Sequence, residues 1–98
     1  MKTIISTKNI SLDKPLEVFI EDKIGGLAKY LKDDAIQVRV EIGKPSKHHR
    51  NGEIFRAEAN LKMGSNLLRA EAESSDLRTA IVEVKNKLQQ QIKKFKDK

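Results

Sequence analysis

The chain has 98 residues, a length that suits one domain, residues 1–98, built around a single hydrophobic core. Lysine and arginine number 20 against 14 acidic residues, and this net charge of +6 favours a polyanionic partner. The sequence has no cysteine, which excludes disulfides, thiolate metal sites and a cysteine nucleophile. No segment approaches the roughly 20 apolar residues of a membrane span, and residues 1–10 lack the apolar core of a signal peptide, so we expect a cytoplasmic protein without a membrane partner.

The first half of the chain predicts a strand followed by a helix. Ile4 and Ile5 lie among residues that favour strands. Asp13 is placed to cap a helix whose apolar positions repeat at spacings of four and three. Gly25 and Gly26 lie inside this helix, and each costs about 1 kcal/mol relative to alanine, so we expect a bend or close packing there. The apolar stripe of the helix consists of Leu16, Ile20, Ile24, Leu27 and Leu31.

The rest of the chain predicts three strands and a second helix. Residues 36–42, 55–62 and 68–73 each alternate apolar and polar side chains, and such strands form a sheet that is covered on one face only. Ser75 is placed to cap the second helix, and Asp76 is placed to favour its dipole. The apolar stripe of this helix consists of Leu77, Ile81, Val84, Leu88, Ile92 and Phe95.

These elements predict an α+β fold with the order β-α-β-β-β-α. A strand, a helix and a further strand in succession cross over right-handed, which makes the first two strands parallel, whereas the later hairpins are antiparallel. We therefore expect a four-stranded mixed sheet with both helices packed on its one apolar face.

The second helix carries the strongest signal for a binding surface. From residue 77 onward the chain has seven basic residues and two acidic ones. The alternative is a solvated helix whose lysines favour the C-terminal dipole, but that does not require so large an excess, so an RNA-binding face is favoured. At about 100° per residue, the positions divide into Arg78, Lys85 and Lys96 on one flank of the stripe, Lys87 and Lys94 on the other, and Lys93 directly opposite the core.

Two other segments add basic residues. The first helix is mixed in charge, and its second half contributes Lys23 and Lys29. The loop 43–52 contains no acid, and it is either a secondary RNA contact through phosphates or a solvated connection. Its adjacent histidines, at positions 48 and 49, point to opposite sides of an extended loop, so no metal site is expected. The basic residues of the loop are Lys44, Lys47 and Arg50.

Other classes of function have little support in the sequence. Aromatic residues make up 4%, and Phe19, Phe55 and Phe95 fall at or near apolar stripes, so no stacking platform for single-stranded bases is predicted. No nucleophile is paired with a base and an orienting group, and no glycine-rich phosphate loop is present, so we expect neither an enzyme nor a cofactor. Recognition of structured RNA by shape and phosphate is favoured, with the helices as the contact surface.

Three short segments carry a resemblance to a known family. Residues 23–30, 76–81 and 87–96 read KIGGLAKY, DLRTAI and KLQQQIKKFK, and their order and spacing fit the predicted elements. In this combination the chain resembles the ribosome hibernation-promoting factor and ribosome-associated inhibitor A family over nearly its whole length. It fits either a short member or the N-terminal domain of a long member.

The resemblance implies ribosome hibernation and inhibition of translation in stationary or stressed cells. Members bind the small ribosomal subunit in the channel that holds mRNA and tRNA, contact rRNA of the decoding region through basic residues of both helices, block initiation and preserve idle ribosomes. No small-molecule substrate is implied, and we expect a monomer when the protein is free. The basic sites of the family pattern are matched by Lys23, Lys87, Lys94 and Lys96. Charge placement adds Lys29, Arg78, Lys85 and Lys93.

The chain also departs from the family pattern. Gly26 stands where relatives often have lysine, Gln90 where arginine is common, and Phe95 where histidine is common, whereas Arg78 replaces a frequent tyrosine. Relative to the family pattern, two basic contacts are therefore lost and one is gained at Arg78, and the general mode of binding is retained. Two alternatives remain open: a general double-stranded RNA-binding module without ribosome specificity, and an adaptor domain that pairs through an exposed sheet edge.

Overall fold

The computed structural model describes residues 1–31, 37–44 and 54–96, which form a four-stranded sheet with two helices against one face. The strands are β1 (Lys2–Lys8), β2 (Gln37–Gly43), β3 (Phe55–Met63) and β4 (Asn66–Ser74). The helices are α1 (Lys14–Gly25), which is followed directly by the 3₁₀ helix Gly26–Tyr30, and α2 (Leu77–Lys96). The predicted order β-α-β-β-β-α is confirmed. Residues 32–36 lie outside the described ranges, and β2 begins directly after them.

The sheet is mixed, with the strand order β1-β2-β3-β4. β1 and β2 are parallel, with Ile5 opposite Val40, and β3 is antiparallel to both of its neighbours. Gly43 lies opposite Lys8 at the end of the parallel pair, where a β carbon would stand 2.1 Å from the Lys8 carbonyl oxygen. This close approach of two backbones requires glycine, and it fixes the end of the parallel register.

One face of the sheet and the inner stripes of the helices form the core. Alternate residues of the strands are buried, as the sequence pattern predicted, and the residues between them face outward. No residue of the described ranges with a polar or charged side chain is buried. None of the helices in these ranges has the length and apolar character needed to cross a bilayer. The largest fully buried side chains include Ile20, Ile24, Leu27, Ile42, Leu61, Ile81, Leu88 and Ile92.

The first helix changes its winding at the two glycines. Asp13 caps α1, since its Oδ1 accepts a hydrogen bond of 2.8 Å from the backbone N–H of Leu16. The α-helix ends at Gly25, and the tighter 3₁₀ helix continues to residue 30 and places Leu27 in the core. A β carbon at Gly25 or Gly26 would meet no atom within 4 Å, so the predicted close packing at the glycines is absent, and the change there is one of helical winding.

The last helix begins one residue later than expected. The sequence suggested Ser75 as its cap, but the structure assigns that role to Asp76. The carboxylate of Asp76 accepts hydrogen bonds from the backbone N–H of Arg78 at 3.3 Å and from the hydroxyl of Thr79 at 2.8 Å. The hydroxyl of Ser74 in turn accepts a 3.1 Å hydrogen bond from the backbone N–H of Asp76. An aspartate cap also places negative charge at the positive end of the helix dipole.

Candidate nucleic-acid interface

Basic side chains from both helices meet along the outer seam between α1 and α2. The guanidinium carbon of Arg78, in the first turn of α2, lies 4.8 Å from the ring centroid of Phe19 in α1. At the other end of α2, the Lys96 ammonium donates a hydrogen bond to the backbone carbonyl of Tyr30. We call this surface the interhelical face. It consists of Phe19, Lys23, Lys29, Tyr30, Arg78, Lys85, Lys93 and Lys96.

The Phe19 end of the interhelical face carries two cations over one ring. Phe19 is half-buried on the flank of α1 that faces α2. Lys23 follows one turn later in α1, and its Nζ lies 5.6 Å from the ring centroid. Cations within about 6 Å of an aromatic centroid are attracted to the ring quadrupole. Phe19 therefore brings a cation of α1 and a cation of α2 to the same place.

The Tyr30 end brings three lysines to one residue. The Nζ atoms of Lys29 and Lys93 lie 5.2 Å and 5.4 Å from the Tyr30 ring centroid, and Lys96 binds the Tyr30 carbonyl oxygen. Lys93 is exposed on α2, in agreement with its predicted position opposite the core. Its long side chain leans from the outer surface of α2 toward the 3₁₀ helix, a reach that helical angles alone do not describe.

Lys85 completes the basic row on α2. It is half-buried, and at about 100° per residue it shares the flank of Arg78 and Lys96. Gln89 lies on the same flank between them, also half-buried, and its Oε1 has no hydrogen-bond partner among the described residues. The predicted grouping of Arg78, Lys85 and Lys96 therefore agrees with the position of α2 against α1.

Two acids of the first helix lie on its other flank, whereas Asp22 is directed outward, away from the core. Glu17 and Glu21 are one turn apart, and helical geometry places them on the side of α1 opposite Phe19 and Lys23. Glu17 lies 3.7 Å from the ammonium of Lys14, within that far flank. In the first helix, Phe19 and Lys23 thus lie toward α2, whereas Glu17 and Glu21 lie away from it.

Two of the predicted RNA-binding lysines lie elsewhere. Lys87 is on the β4 side of α2, where its Nζ donates a 2.8 Å hydrogen bond to the backbone carbonyl of Glu71. Gln91, one turn later, donates a 2.7 Å hydrogen bond to the carbonyl of Arg69. Helical spacing places Lys94 on this same side. The structure therefore divides the predicted set into the interhelical face and a second flank at the edge of the sheet.

The open face of the sheet also carries charges, and four of them form a network of ion pairs. Arg56 forms ion pairs with Glu58 at 3.1 Å and with Glu71, and Arg69 reaches the same carboxylates at 3.1 Å and 3.9 Å. Hydrogen bonds from Asn60 and Arg69 lower the pKa of the Glu58 carboxyl. The hydrogen bond to Glu71 raises the pKa of Arg56. This network neutralises its own cations, unlike the interhelical face.

Of the three loop residues predicted to form a secondary RNA contact, the structure describes only Lys44. This residue is half-buried, its Nζ lies 5.5 Å from the ring centroid of Phe55, and its backbone N–H donates a 3.1 Å hydrogen bond to the Lys8 carbonyl. Lys47, Arg50 and the two histidines lie outside the described residues. Within the described part, no three side chains of the types that ligate metals come together.

The two aromatic residues of the interface were not identified from the sequence. Phe19 was assigned to the core because it adjoins the apolar stripe at Ile20, and Tyr30 received no role. A signal was present: Lys23 follows Phe19 by four residues, a spacing that places two side chains side by side on a helix. The contribution of α2 to each ring could not be read from the sequence, because it depends on how the helices pack.

The chain is similar to a described family over almost its whole length: residues 3–98 match the family described as sigma 54 modulation protein / S30EA ribosomal protein. The ribosome hibernation promotion factor of Deinococcus radiodurans is 29% identical over 93 residues, which cover 94% of this chain and 47% of that protein. The factor of the same name from Lactococcus lactis is 30% identical over 96 residues, covering 98% and 50% respectively. The chain therefore spans about half the length of these curated relatives.

Solved structures share the fold. The N-terminal domain of Protein Y from Thermus thermophilus superposes with a TM-score of 0.79 at 26% identity, covering 97% of this chain and 99% of that one. A ribosomal subunit interface protein from Coxiella burnetii superposes with a TM-score of 0.79 at 20% identity and covers all of both chains. The β-α-β-β-β-α arrangement is thus the fold of these neighbours.

Proposed function

The chain belongs to the sigma 54 modulation protein / S30EA ribosomal protein family, and on that premise we propose that it is a ribosome hibernation factor. It binds the small ribosomal subunit in the mRNA and tRNA channel, blocks initiation and preserves idle ribosomes in the cytoplasm of stationary or stressed cells. Both curated relatives are named as ribosome hibernation promotion factors, which supports a ribosomal partner. These names describe ribosome-associated factors rather than enzymes.

The observation that carries the proposal is the set of cations on the interhelical face. None of them forms an ion pair with a carboxylate of the described residues, whereas Arg56 and Arg69 on the sheet do. Lysine and arginine that are free of acidic partners neutralise RNA phosphates without first giving up an internal ion pair. The contact surface for rRNA is therefore the seam between α1 and α2, where the two helices present cations side by side.

The second flank of α2 extends this surface. Lys87 and Lys94 are exposed, and an ammonium group has three donors, so the hydrogen bond from Lys87 to Glu71 leaves donors for phosphate. These lysines are secondary contacts in the proposal, since they lie across α2 from the aromatic rings. The loop residues Lys44, Lys47 and Arg50 are further candidates from the sequence.

A matched pair of charge reversals tests the location of the contact. Replacement of Lys93 and Lys96 by glutamate removes two cations from the interhelical face, whereas the same replacement of Lys2 and Lys62 acts on exposed strand residues. Both double variants have the same net charge. Co-sedimentation with purified small subunits at low salt should fall at least about tenfold for K93E/K96E, since two phosphate contacts are lost and reversed, and change little for K2E/K62E. Equal losses in the two variants would contradict a localised site.

The alternative function is a general double-stranded RNA-binding module. It shares the phosphate contacts and the steep decline of affinity with salt, so salt dependence alone does not separate the two functions. Competition does: an excess of duplex RNA of unrelated sequence should leave the protein on the small subunit if the proposed function is right. Complete displacement by an equimolar amount of duplex RNA would favour the alternative.

A further inference from the structure

From the two aromatic–cation clusters we infer that Phe19 and Tyr30 are positioning residues for the RNA-binding cations. The inference rests on the proposed function and assigns roles to two side chains that need not touch RNA. Phe19 holds Lys23 and Arg78, and Tyr30 holds Lys29 and Lys93. In each case one cation comes from the α1 region and one comes from α2.

The geometry at Phe19 shows why a ring is suited to this role. Arg78 is exposed and lies in the first turn of α2, where its long side chain would otherwise sample many rotamers in water. The ring of Phe19, 4.8 Å from the guanidinium carbon, offers an attractive surface that leaves the N–H groups of the guanidinium without an acceptor. A carboxylate partner would also order Arg78, but it would compete with phosphate for the same N–H groups.

The same reasoning applies at Tyr30. Lys29 and Lys93 approach its ring at 5.2 Å and 5.4 Å, and Lys96 is held by the backbone carbonyl of the same residue. Tyr30 lies in the 3₁₀ helix and is half-buried, so its ring is held against the core while the lysines remain exposed. One residue thus gathers three like charges, whose mutual repulsion favours a polyanion between them.

Contrast with the rest of the surface strengthens the inference. On the open face of the sheet two cations, Arg56 and Arg69, are ordered by carboxylates, in the network with Glu58 and Glu71. On the interhelical face they are ordered by rings and a backbone carbonyl, with no carboxylate contact among the described residues. Ordering without neutralisation is what a phosphate-binding surface requires, because both the direction and the charge of each cation are kept.

The test replaces the rings and leaves every cation in place. Phe19→Leu and Tyr30→Leu retain apolar side chains but remove the quadrupole, and Phe19→Tyr and Tyr30→Phe restore a ring. We expect the affinity for purified small subunits at low salt to fall about two- to fivefold for each leucine variant and to stay near wild type for the ring-conserving variants. Phe95→Leu is the matched control, since this half-buried aromatic residue has no described cation over its ring. Thermal melting confirms that each variant is folded.

A double-mutant cycle separates positioning from a general effect on structure. If Phe19 acts through Lys23 and Arg78, then Phe19→Leu should have no further effect on affinity once both cations are replaced by alanine. An undiminished loss in that background would contradict the inference, as would a Phe19→Leu protein that binds as tightly as wild type.

A second readout does not depend on the ribosome. The Hε resonance of Arg78 should be shifted upfield by the ring current of Phe19, and it should return to the random-coil position in Phe19→Leu. A random-coil position in the wild type would overturn the positioning role even if small subunits bind normally. If the resonance is shifted but small subunits do not bind, the proposed function fails while the contact between Phe19 and Arg78 is supported.

Discussion

Gly26 illustrates how one residue can affect both stability and binding. It adopts right-handed helical angles, with φ of −61° and ψ of −18°, and a β carbon there would meet no atom within 4 Å. Glycine at such a position lowers stability, because the unfolded chain has more conformations to lose. By helical spacing, position 26 also lies on the side of Phe19 and Lys23. The family resemblance noted from the sequence implies lysine at this position.

Gly26→Lys should therefore improve the protein in two separate ways. We expect the free energy of unfolding to rise by about 0.4–1 kcal/mol, and the affinity for small subunits to rise about threefold or more through one added phosphate contact. Gly26→Ala is the control, since it should give the same stability without the gain in affinity. Urea unfolding and co-sedimentation measure the two effects. An equal affinity for the lysine and alanine variants would place residue 26 outside the RNA contact.

Glu58 gives the sheet a dependence on pH. Its pKa is lowered in the folded protein, by hydrogen bonds from Asn60 and Arg69, so the unfolded chain binds a proton more readily. The resulting stability is complete above the unfolded pKa, about 4.3, and is lost as the pH falls through the folded pKa. Glu58→Gln should destabilise the protein by about 0.5–1 kcal/mol at pH 7 and show a smaller loss of stability on acidification. The measurement is the free energy of urea unfolding from about pH 7 to pH 3. If Glu58 does not contribute, this free energy will fall in parallel for the wild type and for Glu58→Gln.

At the level of single residues, the sequence located the cations but not their neighbours. The excess of basic residues on α2 and the flank shared by Arg78, Lys85 and Lys96 followed from helical periodicity. The contacts of Phe19 and Tyr30 did not, because each ring meets cations from two elements that are distant in sequence. For Lys93, helical periodicity gave the outward position but not the approach of its Nζ to the Tyr30 ring.

Among the elements, α2 has a second role beside its basic face, because it covers the outer edge of β4. Lys87 and Gln91 donate hydrogen bonds to the backbone carbonyls of Glu71 and Arg69, on a strand that, among the described strands, pairs with β3 alone. An edge strand with unpaired backbone groups can add a strand of another molecule. Side chains of α2 thus occupy acceptors that a second copy of the chain would use.

Removal of these donors should open the β4 edge. In a Lys87→Met/Gln91→Leu variant we expect a loss of about 1–2 kcal/mol in the free energy of unfolding and the appearance of concentration-dependent self-association. Sedimentation velocity at increasing protein concentration measures the association. Lys94→Met is the control on the same flank, because it removes a charge without a described hydrogen bond to β4. A double variant that stays monomeric like the control would show that the edge is protected by other means.

The elements themselves were largely predictable, and their boundaries less so. Alternation identified strands β2 to β4, and spacings of three and four identified most of both helical stripes, since these patterns reflect which side chains reach the core. The first helix was predicted to run to Leu31, but this residue follows the 3₁₀ helix, and Leu77 and Phe95 at the ends of the second stripe are only half-buried. The cap of α2 was misplaced by one residue because serine and aspartate are both good caps, and the choice of Asp76 depends on local geometry. The change from α to 3₁₀ winding after Gly25 was expected only as a bend, since the sequence does not specify which hydrogen bonds replace those of the helix.

For the molecule as a whole, the important feature is an unequal distribution of charge. The sheet face holds acids and bases in one network, and the acids Glu17 and Glu21 lie on the outer flank of α1. The interhelical face keeps its cations without carboxylate partners in the described part of the chain. Net charge alone suggested a polyanionic partner but did not locate its binding surface. Three strands separate α1 from α2 along the chain, so the sequence does not show that the two helices lie side by side.

Binding to RNA should therefore protect the folded state from heat. The interhelical face is assembled from residues 19–30 and 78–96, which are brought together only by folding, so a ligand of this face has little affinity for the unfolded chain. A ligand present at about 100 times its dissociation constant adds about 2.7 kcal/mol of stability. Calorimetry with small subunits, or with an rRNA fragment that binds, should show a higher Tm for the wild type and a much smaller increase for K93E/K96E. An equal increase in both would assign the stabilisation to another surface.

The hydrogen bond from Lys96 to the Tyr30 carbonyl also bears on how position 96 can vary in evolution. It joins the end of α2 to the end of the 3₁₀ helix, so the same lysine closes the fold and presents charge at its surface. If Lys96 also contacts RNA as proposed, a substitution at position 96 changes stability and recognition together, and selection on either property constrains the other. Variation among relatives should consequently be freer at Lys85, for which no such bond to the α1 region is observed, than at Lys96.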